Sequence, residues 1–122
     1  MPRVVHFDLS AEDPKRAAEF YRRVFGWRIE KWEGPDDYWL VRTGKLDEPG
    51  IDGGLAKRVR PSDSTTNFVA VSSIDEYLER VTSHGGSIVE PKHSIPGVGY
   101  VAVCRDSENN VFGMLEQDAT AS

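Results

Sequence analysis

At 122 residues and a formal net charge of -5, the chain is one domain's worth of material, long enough to bury about two-thirds of the surface its unfolded form exposes. The acidic balance argues against a nucleic-acid groove or an anionic membrane surface, which want clustered Lys and Arg, and no apolar run could span a bilayer or act as a signal core. One cysteine, Cys104, permits no internal disulfide, so a reducing cytoplasm is the expected setting, and the acidic balance leaves small molecules or other proteins as the expected partners.

Arg3 to Leu9 alternates as a strand, with Val5, Phe7 and Leu9 on one face and Val4, His6 and Asp8 on the other. Asp13-Pro14 then starts a helix, because Asp accepts the first free N–H groups and Pro lacks the donor that would go unpaired. Ala17, Phe20, Tyr21, Val24 and Phe25 follow at helical spacing, and Gly26 supplies a left-handed cap. Strands are expected over Trp27 to Trp32 and Tyr38 to Thr43, parted by the turn Gly34-Pro35-Asp36-Asp37. A looser loop, Gly44 to Gly50, precedes a strand around Gly53-Gly54.

Residues 60–66, Arg60-Pro61-Ser62-Asp63-Ser64-Thr65-Thr66, read as a linker, and the order of elements then repeats. Asn67 to Val71 is a strand, and Ser73-Ile74-Asp75-Glu76 is a capping box opening a helix striped by Ile74, Tyr77, Leu78 and Val81 and ended by Gly85-Gly86. Strands over Ser87 to Glu90 and Tyr100 to Arg105 flank a loop from Pro91 to Gly99. The polar turn Asp106-Ser107-Glu108-Asn109-Asn110 feeds a last strand, Val111 to Glu116. Overlaying the halves sets His6 on Asn67, Gly26 on Gly85 and Gly54 on Gly113. The expected fold is α+β: two tandem βαβββ modules, 3–59 and 67–118 within a single domain of residues 1–122, forming a curved mixed sheet around a central cleft.

A His on the first strand, Ala18-Glu19-Phe20-Tyr21 with Val24-Phe25-Gly26-Trp27 closing the first helix, the Gly85-Gly86 turn and an Asp-x-x-x-Asn turn before the last strand together resemble the vicinal oxygen chelate superfamily. That superfamily includes glyoxalase I, bleomycin-resistance proteins, fosfomycin-resistance enzymes and extradiol dioxygenases, and the likeness runs from Val4 to Gln117. Ile95-Pro96-Gly97-Val98-Gly99 and Val111-Phe112-Gly113-Met114 further resemble a bacterial branch whose members mostly have no assigned reaction.

The resemblance implies a divalent metal, held by side chains from the first and last strand of each module, that acts as a Lewis acid on a chelating substrate. Carried onto this chain, the four ligand positions fall on His6, Gly54, Asn67 and Gly113, and only His6 is a good donor. The expectation is therefore a binder of a small, partly aromatic molecule, with a degenerate metal site, no resident cofactor and a homodimeric assembly. The expected cleft residues are His6, Asp8, Trp39, Gly54, Asn67, Tyr100, Gly113 and Leu115; His6 and Tyr100 are the candidates for chemistry.

A strand-parity argument leaves other arrangements open. Glu116 could join His6 around a Zn, Ni, Mn or Fe ion only if a bulge turned it inward, and Asp52 or Asp8 could complete a shifted site. The alternative reading is thus a divalent-metal-dependent lyase, transferase or dioxygenase; a third is an interaction module whose cleft takes a peptide. His84 reads as a partner of the helix C-terminus, His93 as a loop residue, and Cys104 as an inert buried thiol.

Overall fold

The computed structural model describes residues 2–122 and divides into two units, His6–Thr66 and the remainder, Asn67–Ser122 together with the first residues up to Val5. The element order is β1 (Val4–Ala11), α1 (Pro14–Phe25), β2 (Arg28–Lys31), β3 (Tyr38–Arg42), β4 (Gly53–Lys57), then β5 (Thr65–Ala70), α2 (Ile74–Ser83), β6 (Ser87–Ile95), β7 (Gly99–Arg105) and β8 (Val111–Gln117). Each half is βαβββ, and the fold is α+β. No helix among the described residues is long and apolar enough to cross a membrane.

In the first unit the strands lie in the order β2-β3-β4-β1, the first three antiparallel and β1 parallel to β4. Ala18, Ile29, Val41 and Leu55 form its core beneath α1, joined by Phe7, Leu9 and Trp39. Burying a side chain such as Leu55 stabilises the fold by about 1.5–3 kcal/mol. Asp13 caps α1 by accepting the Arg16 N–H, and Gly26 closes it at φ 73°. Beyond the cap, Trp27 stacks on Tyr21 with ring centroids 5.1 Å apart and on Phe25 at 5.3 Å. The Phe-Tyr and Phe-Gly-Trp motif is thus an aromatic ladder that pins the helix end to the sheet.

The second unit has the equivalent order β6-β7-β8-β5, with β5 parallel to β8. Val71, Ile74, Ala102, Cys104 and Met114 form the core against α2. Ser73 accepts the Glu76 N–H as expected, but Glu76 pairs with Arg80 at 2.9 Å instead of completing the capping box. The Glu116 carboxylate takes the Ile74 N–H at 2.9 Å, so a strand residue completes the cap. His84 Nδ1 lies 2.8 Å from the Arg80 carbonyl at the other end of α2.

Two boundaries and the alignment of the repeat depart furthest from the sequence reading. β5 begins at Thr65, inside the expected linker, and β6 runs through Ile95 across most of the expected loop. The β6 register slips between Ile88 and Glu90 and again before His93, around Pro91, which has no N–H to give the ladder. The third difference concerns the repeat itself. Asp8 pairs with Gly54 in the first unit, whereas Phe68 pairs with Gly113 in the second, so His6 corresponds to Thr66 and not to Asn67. A one-residue slip exchanges the faces of a strand. Asn67 consequently shares the α2 side with Val69, exposed at the start of β5.

Candidate functional site

The face of the first unit's strands turned away from α1 carries the polar residues. β1 offers His6 and Asp8, β4 offers Gly54 opposite Asp8, and β3 offers Tyr38, Leu40 and Arg42, with Leu40 opposite Gly54. Alternation puts Phe7, Leu9 and Leu55 on the other side, in the core.

Three of these side chains close a triangle. His6 Nε2 lies 2.9 Å from Asp8 Oδ1 and 2.9 Å from Tyr38 Oη, and the Tyr38 hydroxyl donates to Asp8 Oδ1 at 2.5 Å. Gly54 makes this reach possible. A Cβ there would overlap the Tyr38 hydroxyl and ring edge, so the absent side chain is the space through which the phenol crosses β4. Trp32 stands edge-on to the Tyr38 ring, centroids 5.9 Å apart, and walls the outer side.

The proton positions follow from counting donors. The phenol has one hydrogen, and it goes to Asp8; Nε2, facing two oxygens, must then carry the ring proton and donate. The neutral ring's lone pair is left on Nδ1. Tyr38 is pushed far above the usual phenol range, first by burial, then by the Asp8 charge and by the hydrogen bond to it. In ultraviolet titration one phenol should therefore fail to ionise as the pH passes the ordinary value of 10.0, and Tyr38→Phe should abolish that resistant group. Because the folded-state pKa is raised, the linked stability is complete below pH 10.0 and declines as the pH climbs beyond it.

Other expected site residues stand elsewhere. Trp39 lies opposite Leu55, packed on the α1 core with Lys31 5.5 Å over its ring, so Tyr38 is the aromatic residue of β3 beside His6. Tyr100 lies opposite Glu116 and packs on the α2 core beneath Lys92, 4.7 Å from its ring centroid. Tyr100 thus occupies the face opposite to that of Gly113 and Leu115, which pair with Val103 and Val101. Gly113 leaves no open space: a Cβ there would meet the Phe68 ring. Asp52 accepts the Thr43 N–H at 2.9 Å and serves the loop. Asp106 accepts from the backbone and the side chain of Asn110 and then from the backbone of Glu108, which holds its carboxyl below the usual range; the Asp-x-x-x-Asn motif is a turn device.

The donor set bears on the metal the family would use. Among the described residues no three His, Cys, Asp or Glu side chains come together to hold an ion. His6 and Asp8 are two donors, Tyr38 retains its proton, and Glu116 is engaged at α2, short of about three protein ligands at a catalytic site. These residues do not fit a resident divalent ion.

A paired βαβββ architecture bearing a first-strand His defines the class, and the comparisons agree with it. The family model of the Glyoxalase/Bleomycin resistance protein/Dioxygenase superfamily matches residues 3–114. The chain belongs to this superfamily. Among solved structures it is similar to methylmalonyl-CoA epimerase from Mycobacterium tuberculosis, at 16% identity and a TM-score of 0.68 over 94% of this chain and 87% of that one. It is also similar to a methylmalonyl-CoA epimerase in complex with methylmalonyl-CoA and NH4+, at 14% identity and 0.71, covering 100% and 99%. A third likeness is to a Streptomyces coelicolor methylmalonyl-CoA epimerase variant in complex with 2-nitronate-propionyl-CoA, at 14% identity and 0.70, covering 98% and 97%. At such identities the likeness concerns the fold. No curated protein matches the chain.

Proposed function

We propose that this chain binds a small, partly aromatic organic molecule against the His6, Asp8 and Tyr38 face of its first unit, with the superfamily's metal site degenerate. The carrying observation is the closed triangle of imidazole, carboxylate and phenol around Gly54. Asp8 fixes the ring orientation and tautomer of His6, a positioning role that carboxylates commonly play beside imidazoles. The molecule's polar end meets His6, and Trp32 and Tyr38 offer flat apolar walls for its body. Homodimeric assembly and a cytoplasmic location remain part of this reading.

A second reading is catalytic. An imidazole held by a carboxylate, next to a phenol that keeps its proton, is a set of groups able to take and return one proton at a bound carbonyl compound. In that reading His6 is the base through Nδ1, and Asp8, itself held by the Tyr38 hydroxyl, orients it. The fold-level neighbours that bind acyl-CoA esters keep such a substrate in view.

The test uses salicylate and catechol as probes, with tryptophan fluorescence and the His6 ring resonances as readouts. The expected result is saturable quenching with a shift of the His6 signals, weakened at least tenfold in His6→Ala. Binding that His6→Ala leaves unchanged, or no saturable binding of either probe, overturns the reading. About one tightly held divalent ion per chain, lost in His6→Ala, would overturn the degenerate metal site in favour of a metalloenzyme.

A further inference from the structure

The first unit contains a second concave feature that neither the His6 triangle nor the family likeness uses. A cavity of about 370 Å³ is lined by Gly26, Arg28, Arg42, Thr43, Gly44, Lys45, Leu46 and Glu48. Arg28 and Arg42 are directly opposite one another on β2 and β3. Like charges at such positions repel, and a sheet has no structural reason to set two guanidinium groups there. Arg28 turns its Nε toward Glu30 at 2.7 Å, which offsets one charge. Neither Arg42 nor Lys45 makes a side-chain ion pair among the described residues. The Glu48 carboxylate is engaged by the Lys45 backbone N–H at 2.8 Å, folded into its own loop turn. In a chain of net charge -5, the cavity wall thus gathers three cations against one carboxylate.

We infer that this cavity binds the oxyanion group, phosphate monoester or carboxylate, of a small organic molecule. Two guanidinium forks on adjacent strands suit the paired oxygens of such a group, and a bound anion removes the repulsion between them. Lys45 adds a point charge from the loop. Leu46, 96% exposed at the rim, supplies apolar surface where the body of an organic anion would lie and an inorganic ion would leave it bare. The volume lies within the range of small-ligand sites. Arg42 stands four residues along β3 from Tyr38, about 13 Å away, so the two sites can be read separately.

The experiment titrates the intact protein with phenyl phosphate and with benzoate at constant ionic strength, following backbone amide resonances with chloride as the control. Saturable shifts at Gly26, Thr43, Gly44 and Leu46 are expected, with affinity falling at least tenfold in Arg42→Gln and also in Arg28→Gln. The tighter probe identifies the anion class. Both arginine heads are exposed, so the variants should keep the parent's melting temperature. The inference is overturned if neither anion gives saturable shifts, if chloride matches them, or if Arg42→Gln binds as tightly as the parent. Absence of anion binding at this cavity in the parent protein, with salicylate or catechol still bound at His6, refutes this cavity alone, and the reverse refutes only the His6 reading.

Discussion

Gly54→Ala should cost about 2–4 kcal/mol of stability and remove the candidate site, although it adds a single methyl group. The new carbon would occupy the place of the Tyr38 hydroxyl, and the phenol has no shorter route to Asp8. Displacing it breaks two hydrogen bonds to charged or ionisable groups. It also leaves the Asp8 carboxylate with His6 as its remaining listener in a half-buried setting. Denaturant unfolding measures the cost, and disappearance of the resistant phenol in alkaline titration reports the displacement. The pair should be strongly coupled. Once Tyr38→Ala has emptied the space, adding Gly54→Ala should cost less than it does alone, with an interaction of at least about 1 kcal/mol. A stability change below about 0.5 kcal/mol for the single variant would show that Tyr38 does not depend on Gly54 for its place.

The alternation of Val5, Phe7 and Leu9 against His6 and Asp8 placed the imidazole and the carboxylate on one face from sequence, because a strand's period is fixed by its geometry. The helix ends were legible for the same kind of reason: Asp13, Ser73 and Gly26 answer local backbone needs that neighbouring residues cannot change. What lay beyond reach depended on pairing. Phe7 and Phe68 invite an overlay of the two halves, yet Phe7 packs toward α1 while Phe68 fills the space beside Gly113 on the face away from α2. The repeat is therefore offset by one residue at β5, and Asn67 leaves the face that His6 suggested for it. Choosing between Tyr38 and Trp39 likewise required the β3 to β4 register, which sets Trp39 against Leu55. Glu116 shows a third limit, since its role as a cap for α2 joins residues 42 positions apart. The basic cavity arises from the Arg28 to Arg42 register and the loop after β3, and composition alone averages those charges away.

Gly99→Ala should be the most damaging single methyl addition in the second unit, at about 3–5 kcal/mol. Gly99 sits at φ 151°, a conformation side chains rarely adopt, and a Cβ there would run into the Glu116 carbonyl and approach the Asp118 nitrogen at 2.9 Å. Those are backbone atoms of β8 and its continuation, so relief requires the first rungs of the β7 and β8 ladder, Gly99 to Gln117 and Tyr100 to Glu116, to part. The disturbance then travels one residue further. Glu116 caps α2 through the Ile74 N–H, and a shifted β8 withdraws that acceptor from a fully buried helix start. Amide exchange at Ile74 should accelerate along with the fall in unfolding free energy. Gly97→Ala is the matched control, because Gly97 also has positive φ, 75°, but nothing lies within 4 Å of its Cβ position. Only the left-handed backbone penalty applies there, about 1 kcal/mol. Equal losses from the two variants would mean that the backbone contact between Gly99 and Glu116 is not what sets the end of this ladder.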